Sequence, residues 1–400
     1  MTAGPLSDRP IAFVIFQAGA QADGGLNSIS ELVAERARDQ RVLVFTNLES
    51  DFSACWRGFG CDVVVIRMNE GSFHQEGKSG GRLGRALGRV LTNLHLASRL
   101  KKERVAVLHA NDARSFWSSV GAAKIAGIPI VLNVRDALPP RYKSAPLRWR
   151  LAYRLCDLFL VLSQDMEAYW RGLLGVSGSG KVRHLYSIVR THPDAIKADR
   201  QMVRQALGMP REAYVVAYVA SFHPKKRQAE FIEHAAGAIL ARAPEARIIF
   251  VGDCVPTENP AAAQAVAAAG RLDAGERLQF VGFSPDPWRW YVAADLIVLA
   301  SEREGLPRCI IESMCIGAPF ASFDVSSAQE MADLHGAASV VRQGDYAALV
   351  EAVCAHHTGR MDDLAQRDAR GEAARRRFDA AAAREGYGAL LEALGAGAGR

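Results

Sequence analysis

Short apolar runs rich in β-branched residues recur along the chain, and each is followed by a longer stretch whose apolar positions fall three and four apart. In the first half the runs are Ile11 to Phe16, Arg41 to Thr46, Asp62 to Arg67, Val105 to Ala110, Ile128 to Val134 and Leu158 to Ser163. After the polar segment Thr191 to Arg200 the rhythm restarts with Tyr214 to Ala220, Ala246 to Gly252, Leu278 to Gly282, Leu296 to Ala300 and Pro319 to Phe323. Strand and helix alternating in this way predict an α/β protein of two doubly wound parallel-sheet domains, residues 1–195 and 196–380, with a further helix over 381–400. Sheets of this kind take ligands at the carboxyl ends of their strands, so the loops just after each run are where chemistry is expected.

Composition narrows the class. At 400 residues, 49% hydrophobic and 23% charged, the chain reads as globular rather than fibrous or disordered. Its apolar runs are far shorter than the roughly 20 residues of a spanning helix. The stretch Met1 to Pro10, with Asp8 beside Arg9, lacks the layout of a signal peptide, so a cytoplasmic location is expected. Seven cysteines, without any Cys-x-x-Cys, are expected to be reduced and buried. Charge divides unevenly: residues 1–190 carry 26 Lys and Arg against 16 Asp and Glu, whereas residues 191–400 carry 23 against 27. A net +10 half suits nucleic acid, an anionic membrane or a phosphorylated substrate, and charge alone does not choose among them. Nucleic acid is disfavoured because the basic half shows no aromatic interleaving and no known module.

Three loops carry candidate chemistry. Gly24-Gly25 precede a helix from about Asn27, where two glycines bring backbone N–H groups close to a phosphate or simply make a tight turn. The dinucleotide fingerprint Gly-x-Gly-x-x-Gly is absent there, which disfavours NAD. In the second half the first strand runs into Ser221-Phe222-His223-Pro224-Lys225-Lys226-Arg227, with three cations at the ligand end of a strand. The third is Glu304-Gly305-Leu306-Pro307-Arg308-Cys309-Ile310-Ile311-Glu312, in which Pro307 suits a first helical turn and Ile310, Ile311 and Met314 give a buried face. Glu304 then lies in the loop and Glu312 inside the helix. Carboxylates so placed need partners, and a ribose diol or a pair of sugar hydroxyls fits them.

The segment Asp286-Pro287-Trp288, Ala294-Asp295-Leu296, Ser301-x-x-Glu304-Gly305-Leu306-Pro307, Glu312-Ser313-Met314-Cys315-Ile316-Gly317-Ala318-Pro319 and Glu330 resembles the donor-site signature of retaining GT-B glycosyltransferases of family four. The likeness extends through Val251-Gly252-Asp253, Phe280-Val281-Gly282 and the Pro224-Lys225-Lys226 turn. It reaches more loosely to Gly24-Gly25, Val105 to Ala110, Gly127-Ile128-Pro129 and Val161-Leu162-Ser163.

The resemblance implies a GT-B fold of two Rossmann-like domains facing a cleft, the first for acceptor and the second for a nucleotide sugar. It implies that Glu312 holds the ribose, that Glu304 and the backbone of Gly305, Leu306 and Pro307 meet the donor sugar, and that Lys226 binds the diphosphate. Gly24 and Gly25 would close on that diphosphate, and the loops near Gly252 and Phe283 would meet the base. Two positions depart from the family. Ala220-Ser221 stand where many members have Gly-Arg, leaving Lys225 or Arg227 as a substitute cation. Asn133-Val134-Arg135-Asp136 stand where many place a sugar-touching His, so Arg135 either reaches sugar or phosphate or pairs with Asp136. His109 is a cleft residue on one reading and a core histidine on the other.

The chain has no Asp-x-Asp, and its ten histidines show no ligand spacing beyond adjacent His356-His357, so no metal and no cofactor are expected. Departure of a nucleoside diphosphate would instead be eased by Lys226, Arg135 and helix amides. Both a same-face attack on an oxocarbenium-like centre and a covalent step at Glu304 remain open.

Leu83, Leu87, Val90, Leu91 and Leu94 lie among Arg82, Arg85, Arg89, Arg99, Lys101 and Lys102, a pattern of either interfacial contact with anionic lipid or a helix packed on its sheet. The expected function is transfer of a sugar to a glycan or polyprenyl-linked acceptor of a bacterial surface or exported polysaccharide, lipopolysaccharide among them, at the cytoplasmic face of the inner membrane. The alternatives are a nucleotide-sugar isomerase or epimerase on the same fold and a catalytically inactive donor-binding subunit. By the resemblance the helix around Tyr387 to Leu394 crosses back to brace the first domain; packing on the second would look the same in sequence.

Overall fold

The computed structural model describes residues 9–17, 24–66, 82–139, 141–178, 180–359 and 364–398, with backbone alone for 82–87, 364 and 396–398. It resolves into two compact units. The first comprises Met1–Arg135, Pro139–Ile188 and Ala380–Arg400, and the second Asp136–Leu138 with Val189–Asp379. The division after Ile188 falls seven residues before the boundary expected at 195.

The first unit is a seven-stranded sheet of β1 (Ile11–Ile15), β2 (Val42–Thr46), β3 (Asp62–Val65), β4 (Val107–Ala110), β5 (Ile130–Asn133), β6 (Leu158–Val161) and β7 (Val182–His184) in the order β3-β2-β1-β4-β5-β6-β7. Every pairing is parallel. β1, β2, β4, β5 and β6 are buried along their whole length, which is why they read as continuous apolar runs rather than alternating ones. Local chemistry sets the crossovers. Asp112 accepts from Ser115 N to start the helix Ala113–Ala126, and Gly127 ends it at φ 70°. Ser163 and Gly175 do the same for the helix Gln164–Leu174. The core gathers Phe13, Ile15, Val44, Trp56, Leu158 and, from the far end of the chain, Tyr387 and Leu391. The helix Ala380–Ala398 is therefore part of this unit, packed against the helix Gly24–Asp39.

The second unit is a six-stranded parallel sheet of β8 (Tyr214–Val219), β9 (Ala246–Val251), β10 (Leu278–Gly282), β11 (Leu296–Leu299), β12 (Phe320–Phe323) and β13 (Ala338–Val341), ordered β10-β9-β8-β11-β12-β13. Tyr218, Phe231, Phe250 and Phe280 stack through one face of it. Asp295, just before β11, takes Arg200 at 2.5 Å, Arg204 at 2.6 Å and Val215 N at 2.7 Å, so the charge is fully answered where it is buried. The strand order reverses between β1 and β4 in the first sheet and between β8 and β11 in the second, and such switch points open crevices at the strand ends.

β7 and β13 lie outside the strands expected from sequence. The cysteines are free, and Cys61, Cys156, Cys309, Cys315 and Cys354 are buried, whereas Cys55 is exposed and Cys254 intermediate. Among the described residues no helix is long and apolar enough to cross a membrane.

Candidate active site

The second unit assembles its polar groups at the switch point. Beyond β8 the chain turns through a single 3-10 turn, Pro224–Lys226, started by His223 Nδ1 accepting from Lys225 N and ended by Arg227 at φ 54°. Tyr218, from β8 and almost wholly buried, donates its hydroxyl to Lys226 O and accepts from Ala300 N at 3.0 Å. One side chain thus ties the lysine turn to the loop after β11. Glu302 N donates to Lys225 O at 2.7 Å and closes the same joint.

That joint fixes two ion pairs. Lys226 Nζ meets Glu304 Oε1 at 2.5 Å, with the two side chains 15% and 8% exposed. Lys225 Nζ meets Asp136 Oδ2 at 3.1 Å. Burial pulls the Lys226 pKa down, but Glu304, Cys309 and Asp136 more than offset it and the ammonium is held charged above its ordinary range. Burial pushes the Asp136 carboxyl up, with Lys225 opposing and Glu304 adding to the rise. A buried cation paired with a carboxylate has the charge to seat a phosphate in that carboxylate's place.

After Glu304 the chain passes through Gly305, whose carbonyl accepts from Ser327 Oγ at 2.7 Å, and buried Leu306 into the helix Arg308–Cys315. Pro307 is the residue before the first turn, φ −71° and ψ 110°, one place earlier than the sequence suggests, because its missing N–H costs nothing there. Glu312, one turn in, takes Tyr291 OH on Oε2 at 2.7 Å and Arg308 on Oε1, from Nε at 3.1 Å and Nη2 at 3.0 Å. Burial and the Glu312 charge raise the Tyr291 hydroxyl well above its ordinary value, so it stays a donor. Burial pushes the Cys309 thiol, on the same helix as Glu312, up to about 12, with Lys226 opposing the rise and Glu304 and Glu312 adding to it.

The remaining expected residues fall as follows. Gly252 is demanded by close approach: a Cβ there would sit 2.0 Å from Ala220 O. Phe283, after β10, is 71% exposed and Ser221 is exposed. Arg227 closes the 3-10 turn in the left-handed region at φ 54°, and its charge opposes the rise that burial gives the Tyr346 hydroxyl. Asp136 is held by Lys225. Gly24 and Gly25 open the helix Gly24–Asp39 in the first unit, whose first turn holds no acidic residue. His109, in β4 of that unit, is fully buried with Nδ1 2.8 Å from Tyr387 OH, so it is a core histidine; its Nε2 has no protein partner. Burial, and then the Arg135 charge, depress its pKa to about 3. The acidic and hydroxyl neighbours Asp136, Tyr291 and Ser327 had no local sequence signal, being brought in from 21 to 89 residues away, and Tyr218 reaches Ala300 across 82. Among the described residues no group of three or more His, Cys, Asp or Glu is disposed to hold a metal ion.

Residues 213–358 match the family model described as glycosyl transferases group 1, and residues 50–192 the model for glycosyltransferase family 4. A 153-residue stretch is 31% identical to a D-inositol 3-phosphate glycosyltransferase of Thermobispora bispora, covering 37% of this chain and 35% of that protein. A 95-residue stretch is 33% identical to the Vi polysaccharide biosynthesis protein VipC/TviE of Salmonella typhi, covering 24% of this chain and 16% of that protein. The chain thus matches only about a third or less of the length of these curated relatives. Anabaena HepE, solved in complex with UDP, superposes with a TM-score of 0.76 over 96% of this chain and 100% of its own at 19% identity, which establishes the fold. With two parallel-sheet Rossmann-like units and family matches on both, the chain belongs to the group 1, family four glycosyltransferases of GT-B fold.

Proposed function

We propose that the protein is a retaining, metal-independent glycosyltransferase that moves a sugar from a nucleoside-diphosphate sugar to a hydroxyl of a glycan or polyprenyl-linked glycan, in the synthesis of a bacterial surface or exported polysaccharide. The observation that carries this is the pairing of Lys226 with Glu304 beside the Tyr291–Glu312–Arg308 network, both at the switch point of one sheet. The UDP bound by the HepE structure and the polysaccharide role named for the Salmonella relative support the donor and product classes.

The chemistry follows from charge. A departing diphosphate gains negative charge, and Lys226 and Lys225 stand where two cations neutralise it once their carboxylate partners give way. Glu312, with one oxygen held by Tyr291 and the other by Arg308, presents its remaining lone pairs to a ribose diol. Glu304, released from Lys226, accepts from a donor-sugar hydroxyl. Because ammonium groups supply the countercharge, no metal is invoked. The protein acts at the cytoplasmic face of the inner membrane, in peripheral contact with it.

A thermal-shift panel of UDP, GDP, ADP and TDP, with and without EDTA, tests this, since a ligand bound to the native state stabilises by mass action. One nucleotide should raise the melt, indifferent to EDTA, and lose its effect in Glu312→Ala. A shift abolished by EDTA, or none with any nucleotide, rejects the proposal; product analysis with the matching nucleotide sugar separates transfer from isomerisation.

A further inference from the structure

The helix Leu147–Leu155 in the first unit carries apolar side chains on its outer face as well as on its inner one. Its inner face is aromatic: Trp149 lies 4.8 Å from Trp170 and 6.3 Å from Phe159 between ring centres, and Tyr153 6.1 Å from Phe159, with Ala152 buried between them. Its outer face carries Leu147 and Leu151, one turn apart and 79% and 43% exposed. Exposed Arg150 and Arg154 flank those leucines at helical spacing, and exposed Arg141 and Lys143 precede them. No acidic residue occurs from 137 to 156.

The helix cannot roll to hide its leucines. Trp149 and Tyr153 pin the opposite face, and Lys181 lies 4.8 Å over the Tyr153 ring. A fixed pair of water-facing leucines flanked by exposed arginines on the same helix is unfavourable in water and favourable where hydrocarbon meets anionic headgroups. We propose that the helix Leu147–Leu155, with Arg141 and Lys143, is the docking surface of this protein for an anionic lipid bilayer: the two leucines enter the acyl boundary and the arginines and lysine pair with lipid phosphates. This deepens the membrane contact suggested above and rests on it, but not on the donor chemistry. Two leucines bury too little surface to hold a protein on neutral lipid, so the charge of the bilayer is required.

The test is flotation of the full chain with pure phosphatidylcholine vesicles and with mixed phosphatidylcholine–phosphatidylglycerol vesicles at near-physiological salt. The protein should float with the mixed vesicles only. At roughly fivefold per cation, Arg150→Gln with Arg154→Gln should weaken binding about 25-fold. Leu147→Gln with Leu151→Gln should remove the part of the binding that survives raised salt. The control is Val90→Gln with Leu94→Gln, on the helix Arg82–Lys102, where Val90, Leu91 and Leu94 are also exposed. Absence of binding to mixed vesicles, equal binding to both lipids, binding untouched by both helix pairs, or loss only in the Val90/Leu94 control would each overturn the inference. The nucleotide-induced melt shift, read on the same preparations, keeps the two claims apart: docking lost with the shift intact spares the transferase, and the reverse spares the docking surface.

Discussion

Tyr291→Phe removes one oxygen and leaves the ring that packs beneath the helix Arg308–Cys315. The lost bond is a 2.7 Å donation to a carboxylate, a class with a net value of about 1.5–3 kcal/mol when buried. Glu312 keeps both bonds from Arg308 and is about a quarter exposed, so water and the guanidinium recover part of that. What remains is loss of orientation, about 1–1.4 kcal/mol, or five- to tenfold in nucleotide Kd. The change should be selective, because the proposed partner of the carboxylate is the ribose and not the base or the phosphates. Calorimetric titration with the bound nucleoside diphosphate and with its 2′-deoxy analogue reads it. The native protein should prefer the ribose form, and the variant should lose most of that preference while binding the deoxy form nearly unchanged. An undiminished ribose preference in a folded Tyr291→Phe protein would refute the reasoning, since Glu312 would then be positioned without its tyrosine.

Other outcomes follow from the same geometry. Glu304→Gln removes the countercharge of a buried ammonium and should cost about 2–4 kcal/mol of stability, yet enlarge the nucleotide-induced melt shift because Lys226 no longer gives up a carboxylate; a smaller shift would mean that Glu304 does not compete with phosphate. Gly252→Ala should destabilise by several kcal/mol, read by urea melts, as its methyl meets Ala220 O at 2.0 Å; a change under about 1 kcal/mol would show that the β8–β9 ends yield. His109 has a folded pKa of about 3, below the 6.5 of a free imidazole, so the unfolded chain binds the extra proton between those values and stability falls as pH drops below 6.5. The loss from pH 7 to about pH 5 should be about 2 kcal/mol, or roughly 4–8 °C in melting temperature for a unit of this size. His109→Gln, which keeps an acceptor for Tyr387, should flatten that dependence, and an identical pH profile would reject it.

The sheets were legible in sequence where strands are buried on both faces, since β1, β2, β4 to β6, β8, β9, β11 and β12 appear as apolar runs of the right length. β7 is three residues, Val-Arg-His, and β13 is half-buried along its length; both are sheet edges that lack the same hydrophobic contrast. Glu304, Lys226 and Glu312 were findable because each belongs to a short motif at a strand end. Asp136 and Tyr291 were not, because their meaning comes only from partners 89 and 21 residues away. The helix Ala380–Ala398 admitted two packings by sequence; burial of Tyr387 against His109 decides for the first unit, which no periodicity encodes.

That helix has a consequence for how the chain matures. His109 and its cover Tyr387 are 278 residues apart, so at about 5–20 residues per second the ribosome needs on the order of 15–55 s between making one and the other. Residues 189–379 of the second unit are contiguous and hold their whole sheet, so that unit can complete itself while the first still waits. Through this interval the face of the first sheet under Phe13, Ile15 and Trp56 stays open, a surface for chaperones to guard, and a ribosome that stalls after the second unit would leave one sound domain tethered to one unsealed one.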